Sequence, residues 1–451
     1  MSDNVELNPG TGGKIVATDD IGGAQHQLVK VEFGDNDTAS MVSKRHPLPI
    51  SIDIFDGTTV DAFGRLRMSE NFSIGDFKQT YHHHCDLLWT SSSVGGGTSS
   101  HDMDRASTII SVGTASGDSF IYQSKKRHVY QPGKSQAVTF TGRFAPLQTN
   151  VRQRMGYFET SNGMFFEANG TDINVVLRSS LSLTDLQISQ SAWNLDRMDG
   201  TGPSGANIDW SKVQIYYIDF QWLGAGIVRY GLYYSASLVY VHELYNAGTL
   251  EHVYMRTPDL PIRYELTNLA GVPATSSMEQ ICYSVRSEGG FEAKGIHRSI
   301  NSGPTGSTVA YTGGVPRVPL LSIRLRADAT GSHVTDVVIN VVANDATNVW
   351  AWEVWYNPTI SDSANWRNIS GSTVQYDTTR SGSVTGGYLL ASGYGTGVSR
   401  TITEKILGLQ EDLVLSYNLD GTRDELVVTG RCVTSAASTI LFAALDWHEV
   451  V

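Results

Sequence analysis

The chain has 451 residues and carries 33 Lys+Arg against 45 Asp+Glu, a formal charge of −12. That length suffices for two or three ordinary cores, and a net acidic surface opposes nucleic-acid binding, which rests on phosphate neutralisation by basic patches. Only 17% of residues are charged and 45 are glycine, the make-up of a strand-and-turn protein rather than a helical one.

Residues 1–60 read as an extended arm. The opening "MSDNVELNPGTGG" is polar and acidic, without a basic n-region or an apolar h-region, so no signal peptide is expected. No apolar run approaches the roughly 20 residues a bilayer requires, so no membrane partner is expected either. Gly12-Gly13, Gly22-Gly23 and "HPLPI" (46–50) punctuate short strand-like pieces such as "HQLVKVEF". Nothing in the arm offers an apolar periodic face, and such a segment gains order against a neighbouring subunit or domain.

"YHHHC" (81–85) raises the question of a metal. In a strand, His82, His84 and Asp86 would share one face and His83 and Cys85 the other. An H-x-H pair can ligate a metal, as in cupins, but needs a third ligand. The cupin pattern supplies a Glu a few residues on; here none occurs between Glu70 and Glu159. His101, Asp102 and Asp104 sit in a Gly/Ser-rich loop with no positional logic, so no metal and no other cofactor is expected. Cys85, Cys282 and Cys432 are far apart and odd in number, which fits folding in a reducing cytosol better than a disulfide scaffold. Lys125-Lys126-Arg127 is the densest basic cluster and reads as a solvated turn.

From about 105 to 300, strand-like runs such as "QAVTFTGRF", "INVVLRSS", "KVQIYYIDFQW" and "SLVYVHELY" recur between turn signals, the spacing of an antiparallel sandwich. "KVQIYYIDFQW" is apolar on both faces, which predicts a central strand covered on both sides. The Gly/Ser/Thr/Pro-rich stretch "GGFEAKGIHRSINSGPTGSTVAYTGGVPR" reads as a loop separating two domains. Strand patterning resumes from about 316. "TEKILGLQEDL" (403–413) is the best short helix candidate. The expected fold is all-β: an extended N-terminal arm (1–60), a main antiparallel β-sandwich (61–300) and a smaller C-terminal β-sandwich (316–451), jelly-roll or lectin-like.

Catalytic motifs are weak. "GTGPSG" (200–205) spells G-x-G-x-x-G, but a strand rather than a helix follows, which makes it a turn and not a dinucleotide cradle. Asp219 in "YIDFQW" lacks the carboxylate partners of a concanavalin-like glucanase strand and reads as a hydrogen-bonded polar residue. Glu167, Asp172, Glu243 and Asp446 share no spacing, and no G-x-S-x-G elbow is present. No enzyme activity is expected. The 9 Trp, 20 Tyr and 14 Phe read mainly as core, with a sugar-stacking platform as the alternative.

Several ordered pieces carry a resemblance. "ATDDIGGAQHQLVKVEFGDND" (17–37), "VDAFGRLRMSENFSIGDFKQTY" (60–81), "YQPGKSQAVTFTGRF" (130–144), "VRQRMGYFETSNGMFFEANGTDINVVLRSS" (151–180), "QSAWNLDRMDGTGPSGANIDWSKVQIYYIDFQWLGAGIVRYG" (190–231) and "HELYNAGTLEHVYMRTPDLPIRYEL" (242–266) resemble virion structural proteins of tailed bacteriophages. Met68 stands where that family usually has Val, and the histidine run departs from its pattern. The resemblance implies a non-enzymatic particle component, made in the host bacterial cytoplasm and residing in the virion. Tail, baseplate or fibre is the station implied first, with head decoration or a carbohydrate-binding receptor module as alternatives. Its implied partners are itself, as homo-oligomers such as trimers, other virion proteins, and a host surface glycan. Arg65 and Arg67 alternate with Leu66 and would lie on one side of an extended strand, placed to pair with carboxylates of a neighbour. They are the candidate interface residues; no catalytic, cofactor or metal residues are assigned.

Overall fold

A computed structural model describes short paired stretches between Val5 and Met41, residues 60–63, and most of 71–450 apart from 82–84, 183, 293, 311–316, 330, 345–346, 397–401, 406–414 and 435–436. The chain divides into two compact units, Met1–Asp56 and Gly57–Val451.

The first unit is folded back on itself more than a plain extended arm would be. Val5–Leu7 pairs with Lys14–Val16, Thr18–Ile21 with Ala24–Gln27, and Glu32–Phe33 with Ser40–Met41, all antiparallel. Gly22 and Gly23 turn the second pair at φ +64° and +84°. A two-residue hairpin turn of this kind needs positive φ at both central positions, which only glycine and a few polar residues adopt cheaply. The two ends of "HQLVKVEF" thus belong to different hairpins, His26 and Gln27 to one and Glu32 and Phe33 to the next.

The second unit is all-β and is built from two pairs of antiparallel sheets. In the first pair, a seven-stranded sheet runs in the order Leu186–Ser189, Asp172–Arg178, Gly163–Asn169, Val151–Phe158, Ile262–Asn268, Ser119–Ser124 and Trp89–Val94. It faces an eight-stranded sheet centred on Ser135–Arg143, Gln214–Phe220 and Ser276–Glu288. The sequence dictates the layering by alternation. Along Val151–Phe158, Val151, Met155 and Tyr157 enter the core, while Arg152, Arg154 and Phe158 point away from it. Phe140 and Tyr216 from one sheet meet Phe166 from the other, with ring centroids 5.0 Å apart for Tyr216 and Phe166. Two Asn-Gly pairs turn hairpins: Gly163, after Asn162, opens one strand at φ +144°, and Gly170, after Asn169, turns at φ +66°.

The second pair is smaller, with five- and six-stranded sheets around Trp350, Trp352, Trp447 and aliphatic residues. Its last strand, Ser438–Val450, shows strict alternation over 13 residues: Leu441, Ala443, Leu445 and Trp447 face in. Glu449 lies on that same inner side. Its carboxylate is met by the Ser372 hydroxyl, the Thr373 N–H and the Trp447 indole N–H.

Four expectations need correction. First, "KVQIYYIDFQW" is a central strand, but only Tyr216–Phe220 are covered on both sides; Val213 and Ile215 are 50% and 42% exposed. Second, the stretch read as a separating loop contains Ile296–Asn301 and Ser307–Ala310, both paired with Ser438–Val450. They are polar, half-exposed edge strands, so they lack the apolar alternation that reveals an inner strand. Third, Ile402–Lys405, the start of the helix candidate, is a strand on His333–Ala343, because the sheet supplies hydrogen-bond partners that outweigh weak helix propensity; the remainder of 403–413 lies outside the described residues.

The fourth correction is the largest. Lys125-Lys126-Arg127 is not a solvated turn but the junction between the two sheet pairs. The Lys125 ammonium lies 2.9 Å from an Asp424 carboxylate oxygen, with side chains 1% and 0% exposed. Asp424 also accepts from the Asn357 amide and the Ser416 N–H, while the Ser416 hydroxyl donates to the Lys125 carbonyl. Arg127 pairs with Glu159 and donates to the Tyr417 hydroxyl across the same seam. A buried charge persists only when paired and hydrogen-bonded, and here both partners come from opposite sandwiches.

Candidate functional site

The outer face of the seven-stranded sheet gathers a density of charge unmatched by its inner face. Strand register explains how. Arg154 lies directly opposite Glu167 on one neighbouring strand and Glu265 on the other. Its guanidinium approaches Glu167 at 2.6 Å and Glu265 at 3.4 Å, with Asp185 at 3.7 Å. Arg178 makes a two-pronged contact with Asp185, at 3.0 and 2.8 Å. Arg263 pairs with Glu265 and donates to Gln123. Beneath this layer, Phe158, Phe165 and Val176 are fully buried, and the guanidiniums of Arg154, Arg178 and Arg263 stack on the two rings. Flat guanidinium groups cover aromatic faces well while keeping their edges free for hydrogen bonds.

Desolvation alone would raise the Glu265 pKa; the guanidiniums of Arg263 and Arg154 outweigh it and hold the carboxyl below its ordinary value. Asp185 behaves likewise, with Arg178 overcoming the effect of burial. Carboxylates held this way stay ionised near neutrality and cannot serve as general acids, which need a raised pKa.

A cavity of about 330 Å³ opens on this face, lined by Arg152, Arg154, Arg178, Arg263 and Glu265 together with Ser119, Ile121, Thr160 and Thr267. A second, larger polar cleft lies at the sandwich junction, between Trp89, Thr90 and Lys125 on one side and Asn357, Tyr388, Asn418 and Asp420 on the other.

The residues singled out from sequence are scattered. Asp219 is fully buried on the opposite sheet's outer side, gripped by both prongs of Arg229 at 2.8 and 2.6 Å and by the Tyr240 hydroxyl at 2.7 Å. Arg229 also donates to the Val60 carbonyl, so the start of the "VDAF" segment closes over this ion pair. Asp219 is thus the hydrogen-bonded polar residue its isolation implied. Glu167 joins the arginine face, whereas Glu243 bonds Tyr245 at an exposed position. "GTGPSG" is a turn, with Gly200 and Gly205 at φ +87° and +67° and the Asp196 carboxylate capping the Ser204 N–H. Arg65, Arg67 and His82–His84 lie outside the described residues. Cys85 opens a single helical turn, Cys85–Leu88, rather than continuing a strand. Among the described residues, no group of three or more His, Cys, Asp or Glu is arranged to hold a metal. The aromatics are mostly core: Trp350 and Trp352 are buried, and Gly393 and Gly395 on the adjoining strand pass so close that a Cβ would strike their rings.

Sequence reading missed the arginine face because its members, at 152, 154, 178 and 263, meet only through strand pairing. The one available signal was the alternation of Arg152 and Arg154 with Val151, Gln153 and Met155 in "VRQRMGYF".

No family model matches the chain, and no curated protein matches it. Solved structures similar to part of it include the carbohydrate recognition domain of Emp47p, at 8% identity and TM-score 0.32, covering 48% of this chain and 96% of that one. A glycoside hydrolase family protein from Mycobacterium thermorestibile matches at 10% identity and TM-score 0.34, covering 47% and 99%. The receptor binding domain of botulinum neurotoxin type G matches at 10% and 0.28, covering 47% of each chain. At such identities and TM-scores, nothing of those proteins' sites carries over.

Proposed function

We propose that the chain is a non-enzymatic structural component of a tailed-phage virion, stationed in the tail, baseplate or an attached fibre and acting through oligomeric interfaces. The observation that carries this reading is the ordered resemblance of segments between 17 and 266 to virion proteins of tailed phages. Two physical features support it. The carboxylates best placed for hydrolytic chemistry, Asp219, Glu167 and Glu265, are each committed to an arginine. Residues 1–56 form a compact unit of their own, and its described residues pair into short hairpins, elements suited to subunit exchange or docking.

Particle components work through extended interfaces, and obligate ones commonly bury more than about 2,000 Å². The first unit and the segment that follows it are the proposed contributors, with Arg65 and Arg67 as the orienting pair. Deleting residues 1–56, and separately replacing Arg65 and Arg67 with Ala, is expected to lower assembly in sedimentation and particle-incorporation assays while the sandwiches keep their far-UV spectrum. Wild-type oligomers and normal incorporation in both variants would place the interface elsewhere.

A further inference from the structure

The charge on the arginine face is not evenly matched, and register again gives the reason. Arg154 is flanked across both neighbouring strands by glutamates, but Arg152, two residues earlier on the same face, lies opposite Asn169 and Thr267. Neither neighbour is a carboxylate. Three of the four guanidiniums lining the cavity, those of Arg154, Arg178 and Arg263, are tied to Glu167, Glu265 and Asp185. Among the described residues, the Arg152 side chain makes no hydrogen bond or ion pair, although it is half-buried in the cavity wall. Desolvation and the nearby Arg154 push its pKa down, and Glu167 and Glu265, each already bonded to another arginine, offset this only in part. An arginine keeps its charge in such a place, so the groove has an unmet demand for one negative charge.

The surroundings restrict what supplies it. Thr267 lies directly across from Arg152 and Ser119 directly across from Thr267, so both hydroxyls share its face. Thr160, whose hydroxyl accepts from Arg263, lines the same cavity, whose volume of about 330 Å³ is at the small end of ligand pockets. Hydroxyls can both donate and accept, which suits a polyhydroxylated ligand better than an aliphatic one. We propose that this groove is a binding site for an acidic saccharide, with Arg152 receiving the carboxylate of a uronate- or sialate-type residue and the three hydroxyl side chains meeting its ring substituents. The tied arginines and Phe158 and Phe165 form a floor that fixes the geometry rather than contacting the anion first. The inference is independent of the particle assignment, because binding is read on the isolated protein.

The test is calorimetric or NMR titration of the full chain with uronate- and sialate-containing oligosaccharides at up to millimolar concentration, each paired with its carboxyl-reduced counterpart. Wild type is expected to bind at least one acidic member, to reject the reduced form, and to bind more weakly in high salt. Arg152→Ala is expected to weaken binding about tenfold or more, the loss of a charge-assisted contact. Thr267→Glu sets a carboxylate directly across from Arg152 and is expected to block binding by occupying the guanidinium internally. Arg152 has no ion pair to lose, so both variants should keep the wild-type melting profile, which the same samples report. No binding by any acidic oligosaccharide, or equal binding by wild type and Arg152→Ala, overturns the proposal. Arg152-dependent self-association in sedimentation, without saccharide binding, would assign the groove to a carboxylate of a second copy and overturn it equally.

Discussion

Asp424→Ala is expected to lower the unfolding free energy by about 3–5 kcal/mol, the usual cost of leaving one charge of a buried pair without its partner. The Lys125 ammonium is 1% exposed and would lose its hydrogen-bonded partner, keeping the ring of Tyr356, 5.8 Å from its centroid, and the longer-range attraction of Asp420. The Asn357 amide and the Ser416 N–H would lose an acceptor in the same stroke. Because these groups come from both sandwiches, the damage should fall on the junction. Calorimetry should show an earlier onset and separation of the two sandwiches' transitions. The double variant Lys125→Met/Asp424→Leu is expected to recover much of the loss, since removing both charges also removes their desolvation. A loss below about 1 kcal/mol in Asp424→Ala would mean that water reaches the pair and that the seam is weaker than described.

Acidification is expected to strain the same seam. His128 and His333 are fully buried, and burial pushes the pKa of each down to about 3, with Lys126 adding to it at His128 and Arg127 and Lys126 at His333. Both are therefore neutral in the folded chain, while in the unfolded chain they titrate near 6.5. Between pH 6.5 and 3 the unfolded state binds more protons, so stability is intact above 6.5 and declines as pH falls. At pH 4.5 the two histidines together remove on the order of 5 kcal/mol relative to neutral pH. Asp259 works the other way: burial raises it to about 6, so the folded state takes up a proton there first. That offsets about 2 kcal/mol, leaving a net loss near 3 kcal/mol. Urea denaturation at pH 7.5 and 4.5 checks the sign, and His333→Leu should flatten the dependence. A midpoint unchanged by acid, or a slope untouched in His333→Leu, would show that these rings are not held neutral.

What could be read from the chain in advance follows from how local each signal is. The strand runs "QAVTFTGRF" and "SLVYVHELY", the "GTGPSG" turn and the isolation of Asp219 depend on near neighbours, and the folded chain keeps them. The role of Lys125 depends on Asp424, 299 positions away, so a basic run followed by no acid looked like a solvated turn. Ile296–Asn301 was hidden because an edge strand needs no apolar face to earn its place in a sheet. Arg152 and its neutral flanks come together only once Val151–Phe158, Gly163–Asn169 and Ile262–Asn268 are placed in register. Strand composition foretold the layers; it could not foretell which charges would face one another across them.

The central claim is that this chain is a fixed part of a phage particle. Cryo-electron microscopy of intact particles of a tailed phage whose genome carries this sequence is the direct measurement. Density matching the two fused sandwiches, repeated with the symmetry of a tail, baseplate or fibre and with residues 1–56 lying against neighbouring subunits, is the expected result. Particles that infect normally, whose density and peptide mass spectra contain no copy of this chain, would contradict it.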